Sequence, residues 1–455
     1  MMNLFKLRDI VLLRTITFPP NFFLNRGINY RENSTIESKQ SVGNADEFKL
    51  REFGQKYLGN REVKFTEKLE FRSSANEVPM PIYQCINSRG EFVDGSEESH
   101  LPKDIAVKMY KEMVKLNTMD KILYESQRQG RISFYMTNFG EEASHMGSAA
   151  ALELRDLVYG QYREVGVLLW RGFSLDQCMN QCYGNELDEG KGKQMPVHYG
   201  SSPLNFVTIS SPLGTQLPQA VGTAYAFKLA NAQRSADEKR VVCVYFGEGA
   251  ASEGDAHAAF NFAAALRCPV LFFCRNNGFA ISTPASEQYA GDGIAGKGIG
   301  YGMHTIRVDG NDPFAVYKVT SAARKLALEN NPVMIEAMTY RVGHHSTSDD
   351  SSAYRSMEEV KEWAELDPPI GRFRRFLERR QWWDDAQDKQ WVGTVRREVM
   401  DSFAKAEKVK KRTPEELFVD VYAEMPKHLK DQQAQLREHL SEFGNEYSQM
   451  EHFQK

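Results

Sequence analysis

Two continuous apolar runs, VVCVYF at residues 241–246 and PVLFFC at 269–274, flank the Ala-rich stretch SEGDAHAAFNFAAALR. Runs without polar alternation are the mark of strands buried on both faces, and the stretch between them has a helical composition. Together they predict a βαβ unit in a parallel sheet. PVMIEAMTY, at 332–340, predicts a further strand. Upstream, Ile105, Met109, Met113 and Leu116 follow helical spacings of four, four and three behind Pro102, and Gly130 closes that helix. From about Gly140 to Gly310, small-residue helices alternate with short apolar strands. The pattern predicts an α/β domain over 101–370, preceded by an extended polar arm at 46–100. A charged helical region and polar tail follow at 371–455.

The composition, 41% hydrophobic and 11% aromatic, supports a large core. A net charge of −4 gives no reason to expect nucleic acid or an anionic membrane as partner. No apolar run approaches the roughly 18–20 residues of a membrane span. Six cysteines, Cys85, Cys178, Cys182, Cys243, Cys268 and Cys274, form no CxxC pair and read as reduced core thiols. Cys178 and Cys182 are spaced to share a helix face, but no histidines lie near them to complete a zinc site. The N-terminus, MMNLFKLRDIVLLRTITF, mixes Lys6, Arg8 and Arg14 with apolar residues and a single acid, Asp9. Arg14 interrupts what would be a secretory core, so 1–45 is expected to be a mitochondrial presequence.

Three glycine-rich stretches compete as a phosphate site. GDGIAGKG at 291–298 matches a P-loop until Gly298 takes the place of the magnesium-binding Ser/Thr, and it lacks the preceding buried strand. GEGAAS at 247–252 starts like a dinucleotide fingerprint. A nicotinamide oxidoreductase would want an acid closing the next strand, where CRNNG stands instead. The third reading joins two strand ends. Glu248 closes one buried strand and Asn277 follows the next, at the edge of a parallel sheet where ligands bind. A carboxylate and an amide make a partial shell for magnesium, which takes its other ligands from water and phosphate. Gly247, Gly249, Ala250 and Ala251 leave room for a diphosphate at a helix N-terminus. Each stretch alone is also a plausible turn; their placement at consecutive strand ends favours a site.

This arrangement resembles the thiamin diphosphate motif, with Glu248 where most families carry Asp. The literal GDG at 291–293 is a decoy, with no buried strand before it and the next Asn pair, Asn330 and Asn331, too far on. From Gly130 onward the chain resembles the alpha subunits of mitochondrial branched-chain 2-oxoacid dehydrogenases. The stretches that carry it are QYREVGVLLWRG (161–172), QMPVHYG (194–200), TISSPLGTQLPQAVG (208–222), YFGEGAASEGDAH (245–257), FFCRNNGFAISTP (272–284) and YRVGHHSTSDDSSAYRS (340–356). The related pyruvate dehydrogenase alpha subunits carry GDG and a differently worded loop.

The resemblance implies a thiamin diphosphate-binding fold that supplies the diphosphate half of the site. It implies magnesium held by Glu248, Asn277 and the backbone oxygen of Phe279, where the family usually has Tyr. Cofactor contacts would come from Tyr162, Arg163, Ser211, Leu213, Gly249, Ala250, Arg275 and His345. Arg163 and Arg275 offer forked donors to a diphosphate. A potassium ion would be held by Ser210, Pro212, Thr215 and Gln216. The implied activity is oxidative decarboxylation of branched-chain 2-oxo acids, with acyl transfer to lipoyl groups of a transacylase. Tyr162 and Leu213 would line part of the substrate pocket. No carboxylate to activate the aminopyrimidine is found, so a beta subunit in an α2β2 heterotetramer is expected to bring it.

RVGHHSTSDDSSAY, at 341–354, has almost nothing apolar to bury. It reads either as a solvated loop or as a lid that does chemistry. The sequence leaves His344 and His345 equal; the resemblance selects His345 as the charge-bearing contact and proton handler. It also implies inactivation by a kinase at Ser346, a second phosphorylation site at Ser356, and a phosphatase. Phosphorylation would add about −1.5 to −2 charges beside an anionic ligand.

Overall fold

The computed structural model describes residues 65–73, 76–93 and 101–454. The expected presequence and much of the expected arm therefore lie outside the described residues. Contacts divide the chain into two compact units, Met1–Arg72 and Ser73–Lys455. Of the first, 65–72 is an exposed stretch in which the Lys68 N–H donates to the Thr66 hydroxyl at 3.1 Å.

The second unit is built on seven parallel strands: β1 (Ile82–Tyr83), β2 (Leu157–Tyr159), β3 (Phe206–Val207), β4 (Val242–Gly247), β5 (Val270–Asn276), β8 (His304–Asp309) and β9 (Val333–Met338). Their order across the sheet is β1-β8-β9-β5-β4-β2-β3. A small antiparallel hairpin, β6 (Phe279–Ala280) with β7 (Thr283–Pro284), sits just past β5.

The helices, in chain order, are α1 (Lys103–Arg128), α2 (Glu142–Ala151), α3 (Val165–Arg171), α4 (Leu175–Tyr183), α5 (Gln216–Asn231), α6 (Gly254–Leu266), α7 (Ala285–Gln288), α8 (Ala295–Gly300), α9 (Pro313–Leu328), α10 (Met357–Leu366), α11 (Pro369–Arg379), α12 (Asp385–Lys408) and α13 (Lys427–Phe443). The expected βαβ unit is present as β4-α6-β5, and Pro102 caps α1 as its position suggests.

Alternation along the central strands explains the continuous apolar runs. Cys243, Tyr245, Leu271 and Phe273 face one core, with α1, α2 and α9 residues such as Met109, Met146 and Phe314. Val242, Val244, Phe246, Val270, Phe272 and Cys274 face the other, under α5 and α6 through Leu217, Val221 and Phe260. Both faces are covered, so neither can be polar. All six cysteines are buried, and none forms a disulfide. Burial raises their thiol pKa values, as expected of inert core sulfurs.

Two features differ from the sequence expectation. Ile82–Tyr83, placed in the arm, forms the sheet's edge beside Arg307 and Val308. The next residues are anchored too, since the Cys85 and Ile86 N–H groups both donate to Asp312 at 2.7 Å. A two-residue strand has too little periodicity to be seen in a sequence. The tail holds α13, none of whose residues is buried; its polarity conceals a helix rather than its absence.

The decoy GDG is structural. Asp292 accepts from the Met80 N–H and from Arg307, and the Ile294 and Ala295 N–H groups donate to buried Glu336. Gly293 has φ +60°, and a Cβ there would meet the Arg307 and Glu336 side chains within 2.8 Å.

Candidate active site

The site is assembled at the carboxyl edge of the sheet. Register pairs Gly247 of β4 with Arg275 of β5, so Glu248 and Asn277 leave adjacent strands side by side. The Asn277 N–H faces a Glu248 carboxylate oxygen at 3.4 Å, and the Phe279 N–H donates to Asn277 Oδ1 at 3.2 Å. Gly278, at φ +87°, makes the turn between them. Thus the three residues expected to hold magnesium lie together at the hydrogen-bonded ends of two adjacent strands.

Glu248 is 1% exposed, and its Oε1 has no hydrogen-bond partner. Burial, with Glu141's charge adding, pushes its carboxyl up to about 7. An orphaned buried carboxylate oxygen is costly, and a cation is the partner that removes the cost. The donor set of one carboxylate, one amide and one carbonyl fits magnesium. Close approach is preserved at Gly249, where a Cβ would lie 2.5 Å from that of Ala280. Ala250 and Ala251 follow in a single buried turn before α6.

The two arginines expected at the cofactor are buried beside carboxylates. Arg275 is 1% exposed and is committed to two buried carboxylates: Nε donates to Glu164 at 2.7 Å, and Nη1 pairs with Glu141. Burial opposes its charge, but Glu164 and Glu141 overcome that and raise its pKa. Arg163 lies 3.6 Å from Glu141 through Nε and donates to the Thr137 and His345 carbonyls. Two arginines facing two glutamates make a cluster that is already balanced. Arg275 is thus held, buried, between Glu141 and Glu164.

The loop after β9 is folded by its own hydrogen bonds and tied to the hairpin. The His345 N–H donates to Asp349 at 2.8 Å, and Asp349 also accepts the Tyr354 hydroxyl at 2.6 Å. Arg341 reaches both the Tyr354 hydroxyl and the Ile281 carbonyl at 2.7 Å. Ile281 is a β-branched residue at φ +57°, a strained conformation in the hairpin that the lid grips. His345 meets Tyr162 edge-on, with ring centroids 5.8 Å apart.

Burial, then Arg163 and Arg341, lowers the His345 pKa to about 3. That favours the neutral imidazole, which can still donate and accept. His344 turns away: its Nδ1 accepts the Ser351 N–H at 3.0 Å, inside the lid. Ser346 is 8% exposed. Ser356 is an exposed N-cap of α10 and accepts the Glu359 N–H at 3.0 Å.

Across the site, the Ser211 hydroxyl lies 2.8 Å from His198 Nε2, while His198 Nδ1 is 3.1 Å from the Pro196 carbonyl. Leu213 is 39% exposed. In the expected potassium loop, the Thr215 hydroxyl donates to the Pro212 carbonyl at 3.1 Å, and Gln216 donates to the Tyr245 carbonyl at 3.1 Å. Ser210 is exposed beside them.

Sequence reasoning missed Glu141, Glu164, Asp349 and His198. The last sits inside the quoted QMPVHYG, behind Val197 at φ +67°, and carried no signal separating a ligand-side histidine from a core one.

Comparison with known proteins agrees with this geometry. The profile of the dehydrogenase E1 component family matches residues 110–415. The chain belongs to that family. Its members are thiamin diphosphate-dependent decarboxylating dehydrogenases. The chain is 57% identical over 424 residues to the mitochondrial 2-oxoisovalerate dehydrogenase subunit alpha of Caenorhabditis elegans, covering 93% of this chain and 97% of that one. It is 60% identical over 394 residues to the Homo sapiens protein of the same name (86% and 87%). To subunit alpha 2 of Arabidopsis thaliana it is 46% identical over 387 residues (85% and 80%). Among the described residues no helix is long and apolar enough to cross a membrane.

Proposed function

We propose that this chain is the diphosphate-binding subunit of a mitochondrial 3-methyl-2-oxobutanoate (2-oxoisovalerate) dehydrogenase. It would decarboxylate branched-chain 2-oxo acids and pass the acyl group to lipoyl groups of a transacylase. The observation that carries the reading is the unpartnered Glu248 Oε1, buried beside Asn277 at the sheet edge. It is what a dehydrogenase E1 chain needs for a magnesium-diphosphate.

Bound thiamin diphosphate supplies a carbon nucleophile that adds to the 2-oxo carbon and takes up the electron pair left by carbon dioxide. The chain's own residues do the rest. Glu248, Asn277 and the Phe279 carbonyl would hold magnesium, with Gly249 and Ala250 letting the diphosphate approach the backbone. Arg163 fixes the lid by its bond to the His345 carbonyl. His345, kept neutral, would exchange a proton with the acyl and lipoyl intermediates at a ring nitrogen. Ser211 and Leu213 would contact the cofactor from the other side, and Tyr162 with Leu213 would border the substrate's branched side chain. Ser210, Pro212, Thr215 and Gln216 would hold potassium once the Thr215 hydroxyl turns from Pro212.

A beta subunit in an α2β2 assembly is proposed to provide the carboxylate for the aminopyrimidine half. Regulation is proposed at Ser346 and Ser356 by a kinase and a phosphatase. Because Ser346 is buried in the closed lid, a kinase would act on the open one. The test is carbon dioxide release from 3-methyl-2-oxobutanoate by the chain with its beta partner, thiamin diphosphate and magnesium. The chain alone should release none.

A further inference from the structure

Glu141 is not among the residues expected to meet the cofactor, yet it is fully buried at the N-terminus of α2 and bonded to the middle of the site. One carboxylate oxygen accepts Asn277 Nδ2 at 2.9 Å, and the same oxygen lies 3.6 Å from Arg163 Nε. The other pairs with Arg275 Nη1. Both oxygens face donors, the Asn277 amide and the two guanidinium groups, so both accept.

That settles which way the Asn277 amide points. Its NH2 must face Glu141, and its Oδ1 is thereby turned toward the Phe279 N–H, on the strand end where the Asn277 backbone N–H faces Glu248. An asparagine free to rotate would present either end. Only the oxygen end ligates a cation, and the NH2 end would repel one.

We propose that Glu141 is a positioning residue that locks the Asn277 amide oxygen toward the magnesium site. Arg275, held between Glu141 and Glu164, keeps the Glu141 carboxylate in place. The inference rests on the magnesium reading above and adds the residue that orients the ligand. Partners of this kind commonly change metal affinity by about 10–100-fold.

The geometry makes a reciprocal prediction. In E141Q the variant amide keeps its oxygen on Arg275, the stronger donor, and turns its own NH2 toward Asn277. The Asn277 amide must then flip, which puts its one NH2 group where its oxygen had faced the metal and the Phe279 N–H. Replacing Asn277 by aspartate in that background removes the conflict, because both carboxylate oxygens accept.

The experiment measures manganese binding by electron paramagnetic resonance, with thiamin diphosphate present, on the chain assembled with its beta partner. The proteins are wild type, E141Q, N277D and E141Q/N277D. E141Q is expected to weaken manganese binding at least about tenfold, and the double variant to return within about threefold of wild type. Wild-type binding matched by E141Q overturns the proposal, as does a double variant no tighter than E141Q. An E141Q chain that fails to assemble while the double variant assembles supports the same pairing; failure of both overturns it. If wild type itself binds no manganese with the cofactor, the magnesium reading fails instead.

Discussion

Acidification should open the lid, and the size of the effect follows from His345. In the closed lid, burial and the facing Arg163 and Arg341 hold its pKa at about 3, against an ordinary 6.5. With the lid open the ring regains water and its ordinary value. A histidine whose pKa is depressed in the closed state costs nothing above pH 6.5, where both states are neutral. Below 6.5 the open state takes up a proton that the closed state refuses, so closure weakens until the pH reaches about 3. At pH 5.5 the opening equilibrium should therefore have shifted about tenfold toward open, or about 1.4 kcal/mol, relative to pH 7.5. Partial exposure of the ring makes this an upper figure. Amide hydrogen exchange across 340–356, corrected for intrinsic rates, reads it directly, with α1 amides as an internal control. Exchange in the lid that does not change with pH would refute the reasoning. So would a His345→Gln chain showing the same pH dependence as wild type.

Two further outcomes test other parts of the site. Ser346→Glu places a charge in a nearly closed position beside the diphosphate. Two like charges about 4 Å apart at an effective dielectric near 20 repel by about 4 kcal/mol. Oxidative decarboxylation should be abolished while circular dichroism and assembly with the beta partner are unchanged, and near-normal turnover would sink the idea. Glu248→Gln removes a buried oxygen that lacks a partner. The chain without ligands should melt no lower than wild type, while the rise in melting temperature on adding magnesium and thiamin diphosphate should disappear; a full ligand-induced rise would place the metal elsewhere.

The parts of this molecule legible in the sequence are those with a local physical signature. β4, β5 and β9 announce themselves because a strand covered on both faces cannot alternate, and Glu248 and Asn277 follow from where those strands stop. The decoy at 291–293 was separable for the same reason: no buried strand leads into it. What the sequence conceals is long-range pairing. Glu141 meets Arg275 and Asn277 across more than 130 positions, and no spacing rule connects them. A lone buried glutamate before a helix looks like an N-terminal charge on any surface helix. The partners of Arg275 were hidden for the same reason, since a forked donor in the sequence does not show which glutamates hold it. The protonation of His345 was likewise invisible, being set by burial and by Arg163, far off in the chain. The resemblance supplied the potassium loop and the choice of His345 over His344, which residue chemistry left open.

The central claim is that this chain carries the diphosphate half of a branched-chain 2-oxoacid decarboxylating site. The most direct measurement is carbon dioxide release from 3-methyl-2-oxobutanoate and from pyruvate, with thiamin diphosphate and magnesium, by the chain alone and with its beta partner. Release that requires the partner and favours the branched substrate is the predicted result. Preference for pyruvate would contradict the substrate assignment, and release from neither would contradict the cofactor site itself.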